Sequence, residues 1–223
     1  MIRQFFDKGF YKTTPQTRCD GRLAWAPILF LPTMSDPCIL RPDKGGQWVP
    51  GLMDKDSFTP ASHPPLMTPV QMDVNTELMA VRAKKRPVML LASERYPELW
   101  QLKSISHNRL RLKPEVGWLV APIYDYDADA DLKQLVEALY FPQFFPLVGN
   151  NGCPRFDSFA RLDRLQTVHE SLVELSDYCM ADDIMATLRE AVVSYVSGTE
   201  QGESYPTLRG TFMELLRNQK VVY

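Results

Sequence analysis

Two short runs hold most of the chemically capable side chains. Arg82, Lys84, Lys85 and Arg86 crowd the entry to one apolar segment, and Tyr124 and Asp125 close another, followed by Tyr126, Asp127, Asp129 and Asp131. A guanidinium stays charged and grips two oxygens of one anion, so Arg86 suits a phosphate or an anionic transition state. A phenol donates a hydrogen bond or passes a proton, and a carboxylate accepts one, so Tyr124 and Asp125 suit proton movement beside that anion. Lys84 and Lys85, with Arg109, Arg111 and Lys113 alternating along NRLRLK, form a candidate phosphate-binding face. Trp100, Tyr124 and Tyr126 would stack unpaired bases beside it, as single-stranded RNA sites require. A solvated strand rim explains the same charges without a ligand.

Other chemistries fail on spacing. The alternating aspartates from Asp125 do not make a calcium loop, because Ala130 and Val136 stand where that loop needs Gly and Glu. Asp127, Asp129 and Asp131 fit the start of a helix instead, where acidic side chains cap amide groups and meet the positive end of the dipole. His63, His107 and His169 are scattered, so no metal site is expected. No glycine-rich phosphate loop and no Gly-x-Ser-x-Gly elbow occurs, and no cofactor is implied. Cys19, Cys38, Cys153 and Cys179 lack ligand spacing and read as isolated core thiols of a reducing compartment.

The elements that must position these groups follow from apolar periodicity in a chain of 223 residues, 45% hydrophobic, with a formal charge of -2. That charge implies no bulk attraction to nucleic acid or membrane, so any such contact is local. No apolar run is long enough for a membrane span, and the start MIRQFFDKGFYK lacks the features of a secretory signal, so a cytoplasmic protein is expected. Strands are predicted at Leu23–Pro32, Val88–Ser93 and Trp118–Tyr124, with NRLRLK between the last two and another strand around Ala160–Val168. A short helix is expected between Asp127 and Leu139. A second carries the stripe Ile184, Leu188, Ala191, Val192 and Tyr195, with Asp182 or Asp183 as its cap and Gly198 closing its end. A polar linker, TEQGESYP, leads to a C-terminal amphipathic helix through Leu208, Phe212, Leu215 and Leu216. The prolines between residues 33 and 74 predict an irregular surface insertion with little regular structure.

KKRPVMLLAS, then a strand ending in VAPIY, then RLDRLQTVHESLVELS and a helix closed by Gly198, resembles the MazF/PemK family of toxin-antitoxin ribonucleases. The resemblance runs from about residue 83 to 198. It implies a β-rich α+β fold, a small SH3-like barrel with attached helices, as one domain over residues 1–198 followed by the linker and helix of 199–223. It also implies a homodimer, an antitoxin peptide or protein as inhibitor, and metal-independent cleavage of single-stranded RNA by ribose 2′-hydroxyl attack. Arg86 matches the family's catalytic arginine. Tyr124 stands where the family places Thr or Ser, and Arg164 stands where it commonly has Gln, which makes Arg164 a further candidate RNA contact. The insertion replaces a short family loop that borders the RNA groove, so it would cover the site, restrict the substrate or act as a built-in plug. A relative that keeps the groove and has lost the chemistry, binding nucleic acid or a protein segment, is the other reading.

Overall fold

The computed structural model describes residues 9–15, 17–30, 38–52, 78–80, 82–93, 117–149 and 154–218. Strands β1 (Tyr11–Thr13), β2 (Arg22–Phe30), β6 (Arg82–Ser93), β7 (Gly117–Asp125), β8 (Phe144–Leu147), β9 (Ser158–Arg161), β10 (Gln166–His169) and β11 (Glu174–Met180) form one antiparallel sheet. Its order is β1-β11-β2-β6-β7-β9-β8, with β10 also on β7. Strands β3 (Cys38–Pro42), β4 (Trp48–Leu52) and β5 (Leu78–Ala80) form a second sheet. Among the described residues, three helices, α1 (Ala130–Glu137), α2 (Asp182–Ser197) and α3 (Ser204–Asn218), complete a β-rich α+β fold. No described helix is long and apolar enough to cross a membrane.

The chain divides into two compact units, residues 1–28 with 85–223, and residues 29–84. In the first unit, alternate residues of the central strands sort onto opposite faces of the sheet. Leu23, Met89, Leu91, Ala121 and Ile123 join Ile184 and Leu188 of α2 and Phe212 and Leu216 of α3 in the larger core. Ala24, Ala26, Ile28, Val88, Leu90, Trp118 and Val120 join Val168 and Val173 in a second core. Burial on both faces is why these strands read as near-continuous apolar runs rather than as alternating ones.

The strand expected around Ala160–Val168 is two strands. β9 pairs with Ile123–Asp125 of β7, β10 pairs with Gly117–Val120, and a 3-10 turn at Leu162–Arg164 separates them. Since β6 holds the other edge of β7, both share one edge, and the turn lets the chain change direction between them. β1, β8 and β11 were not expected. β11, with sequence ELSDYCM, has half-exposed positions and a register shift against β2, which blur its alternation.

The second unit corrects the irregular reading of residues 33–74. β3 is the central strand of a three-stranded antiparallel sheet, between β4 and β5. Its prolines fit because Pro42 is the last residue of β3, and Pro50 lies on the edge strand β4, where a missing donor costs no ladder bond on the open side. The β3–β4 turn is held by the Asp43 carboxylate, which accepts from the amides of Gly45 and Gln47 at 2.8 and 2.9 Å. Residues 53–74 lie outside the described residues, as does NRLRLK.

Helix starts also differ from expectation. Asp129 caps α1, its carboxylate accepting from the Leu132 amide at 2.8 Å, and Asp131 lies in the first turn. Asp127 is not part of that start: it sits in a left-handed turn at φ 46°. α2 is capped at Ala181 without a side chain, and Asp182 and Asp183 fall in its first turn, while Gly198 ends it at φ 71°. α3 begins at Ser204, within the expected linker. The Glu190 carboxylate of α2 accepts from the Tyr205 amide at 2.7 Å, and Pro206 sits in the first turn, where no intrahelical donor is needed.

Candidate functional site

Val88 of β6 pairs with Pro122 of β7, and the same antiparallel register carried two residues further sets Arg86 beside Tyr124. The Arg86 guanidinium carbon lies 4.4 Å from the centroid of the Tyr124 ring. On the other edge of β7, Tyr124 pairs with Phe159 and Asp125 with Ser158. The rings of Tyr124 and Phe159 stack with centroids 6.2 Å apart. A second guanidinium, Arg161, approaches the Tyr124 ring at 5.5 Å and is ion-paired to Asp163. Three neighbouring strands thus converge on one aromatic ring. Cation–ring contacts of this kind orient a guanidinium and contribute about 0.5–1 kcal/mol at exposed sites.

Arg86, Tyr124 and Asp125 line one cavity of about 250 Å³, together with Trp25, Pro87, Ile123, Pro154, Arg155, Phe156 and Ser158. Trp25 is 41% exposed and Phe156 is 65% exposed, so two large rings of the lining are partly in solvent, and the Arg155 guanidinium lies 5.3 Å from the Phe156 ring centroid. Ser158 is only 3% exposed, and its hydroxyl has no hydrogen-bond partner among the described residues. A buried hydroxyl left unpaired costs roughly 1–3 kcal/mol, and Ser158 lies on the cavity lining, where a ligand's polar group would offset that cost.

The acidic groups are a linked pair. The Asp125 carboxylate accepts from the Asp127 amide at 3.2 Å. The carboxyl of Asp127 also hydrogen-bonds to that of Asp125, and this bond, followed by the Asp125 charge, holds Asp127 above the usual carboxylate range. Arg86 pulls in the opposite direction. The rim loop of Arg155 and Phe156 is pinned from below: Asp157 accepts from Lys133 at 2.6 Å and from the Gly149 amide at 2.8 Å. A Cβ on Gly149 would lie 2.4 Å from the Phe156 carbonyl carbon, so only glycine permits this approach.

Of the residues chosen from sequence, the structure brings Arg86, Tyr124 and Asp125 together. Lys84 and Lys85 are exposed on β6, and Lys85 is ion-paired to Glu174 at 2.5 Å, so neither lines the cavity. Arg164 lies 3.8 Å from Asp163, also outside the lining. Arg109, Arg111 and Trp100 lie outside the described residues. Tyr126 is buried against Phe159, with ring centroids 5.2 Å apart, so it is a core ring and not the stacking platform expected of it. His169 serves a local turn, accepting from the Ser171 amide. Trp25, Arg155, Phe156, Ser158, Arg161 and Asp127 were not singled out as site residues. Trp25 carried a faint signal, as the one large ring alternating outward on an apolar strand, but the others reach the site only through strand pairing.

The described residues contain no group of three or more His, Cys, Asp or Glu able to hold a metal ion. No family model matches the chain, and no curated protein and no solved structure matches it.

Proposed function

We propose that the protein is a MazF/PemK-like ribonuclease that binds single-stranded RNA in the Arg86 cavity and cleaves it without a metal ion. The observation that carries this reading is the convergence of the Arg86 guanidinium, the Asp125 carboxylate and two exposed aromatic rings on one small cavity. A phosphate seated by Arg86 and Arg155 would leave its flanking bases to Trp25 and Phe156. Asp125 takes the proton of the ribose 2′-hydroxyl as its oxygen bonds to phosphorus. Arg86 stabilises the added negative charge of the phosphorane. A proton from solvent, relayed by the Asp127 carboxyl beside Asp125, passes to the 5′-oxygen as the phosphorus–oxygen bond breaks, leaving a cyclic phosphate and a 5′-hydroxyl. Tyr124 acts chiefly through its ring, which holds Arg86 in place. Burial on both faces of the main sheet supports an SH3-like barrel as the scaffold. The same reading carries a cytoplasmic homodimer, with an acidic antitoxin segment filling the groove.

The test is cleavage of single-stranded RNA by purified protein in excess chelator. Arg86→Lys, which keeps the charge on this half-buried side chain and removes the two-pronged grip, abolishes cleavage while circular dichroism shows the fold retained. Asp127→Asn, which removes the relaying carboxyl, is slower than the wild type. The open rings of Trp25 and Phe156 favour a second reading, a binding module without chemistry, since they hold bases whether or not cleavage follows. Oligonucleotide binding that weakens steeply with salt, without any cleavage by the wild type, would replace the enzyme with that module.

A further inference from the structure

Cys19 and Cys179 stand 160 positions apart in sequence, yet their sulfurs lie 3.6 Å from each other. Cys19 is partly exposed and Cys179 is buried. The register of β11 places Cys179 opposite Lys12 of β1 on one side and Arg22 of β2 on the other. The segment that carries Cys19 is fastened by the fully buried Arg22. Its guanidinium donates to the carbonyls of Thr14, Pro15, Thr17 and Ser176, to the Thr14 hydroxyl, and to Cys19 Sγ at 3.8 Å. None of those acceptors is a carboxylate, so the positive charge stands ready for negative charge developing on the adjacent sulfurs during thiol exchange. A disulfide needs sulfurs about 2.05 Å apart, so closure asks for a shift of only about 1.5 Å. The partly exposed segment carrying Cys19 is the side able to make it.

We propose that Cys19 and Cys179 form a redox-active thiol pair, oxidised to an intramolecular disulfide by a low-molecular-weight disulfide such as oxidised glutathione. The Cys19 thiolate, its proton lost to solvent, attacks one sulfur of the oxidant. The oxidant's sulfur–sulfur bond breaks, one half leaves as a thiolate, and Cys19 carries the other half as a mixed disulfide. Cys179 then loses its proton and attacks the Cys19 sulfur, expelling the second thiolate. Two electrons pass from the cysteine pair to the oxidant, and the protein gains one bond. Cys179 suits the resolving role. Burial, then its contact with Cys19, pushes its thiol up to about 11, against the lowering pull of Arg22 and Lys12, so it is inert until Cys19 has reacted. The bond staples the Thr14–Asp20 segment to β11 and closes a loop that spans most of the chain.

The full chain with Cys38→Ser and Cys153→Ser keeps the readout to this pair. After incubation with oxidised glutathione, digestion without reductant should yield one linked peptide holding Cys19 and Cys179. The melting temperature should rise by roughly 5–10 °C and fall back on adding a dithiol reductant. Cys179→Ser should stop at a glutathione adduct on Cys19, and ring closure in the parent should quicken about tenfold per pH unit toward the Cys179 value. A Cys19 adduct that never resolves even at alkaline pH, or two thiols untouched in the folded protein, would overturn the proposal.

Discussion

Tyr124 is engaged by its ring on both sides of its strand, under Arg86 at 4.4 Å and stacked on Phe159. The hydroxyl and the ring therefore make separable contributions. Tyr124→Phe keeps the ring and should retain most RNA cleavage and affinity. Tyr124→Ala removes the surface that orients Arg86 and should lower kcat/KM by about two- to fivefold, the worth of one cation–ring contact of about 0.5–1 kcal/mol. Equal losses in the two variants would return the chemical role to the phenol. Arg86, Tyr124 and Asp125 were legible in sequence because the strand ends that carry them are marked by apolar runs. Ser158 and Arg161 were not, because their relation to Tyr124 exists only in the β7–β9 pairing. Asp127 was visible but assigned to the helix, and its left-handed turn, which detaches it from the cap, leaves no trace in residue type.

At the scale of elements, the site depends on how closely the end of β8 approaches the rim loop. Gly149 touches the backbone of Phe156 and Asp157, and Asp157 ties that loop to Lys133 of α1. Gly149→Ala should push the loop off its seat, because the atoms in the way are backbone and have no rotamer to yield. The expected outcome is weaker oligonucleotide binding with a smaller loss of stability, checked by fluorescence titration and thermal melting. Unchanged affinity would remove Phe156 and Arg155 from the groove. The central strands and all three helices could be read from apolar periodicity, since their cores impose it. Short strands such as β8, FFPL, carry too few residues for a period to show. The β3–β4 hairpin was concealed for a different reason: proline content suggested irregularity, while the permitted positions for proline, an edge and a strand end, depend on a strand order that sequence does not display.

The whole molecule holds several protons that its unfolded chain would release. Burial raises the hydroxyls of Tyr126 and Tyr205 above the ordinary phenol range, and burial likewise raises the Cys179 thiol to about 11. An unfolded chain begins to lose such protons at about pH 9 for the thiol and about pH 10 for the phenols, whereas the folded chain keeps them. The folded state then binds more protons, so stability present at neutral pH declines as pH rises through this window. Urea midpoints should fall steadily across it, and the phenolates of Tyr126 and Tyr205, resolved by ring-labelled NMR, should appear in step with unfolding. Either of these two phenolates forming while the fold stays intact would contradict the burial. Arg22 sets a different constraint, one of time. Its guanidinium is satisfied by the carbonyls of Thr14, Pro15, Thr17 and Ser176, and its strand β2 lies against β11. A chain emerging from the ribosome makes Arg22 early and Ser176 late. Until β11 is synthesised, this charge must stay in water and β2 stands as an open edge of the sheet, so the first strands made are among the last to be enclosed.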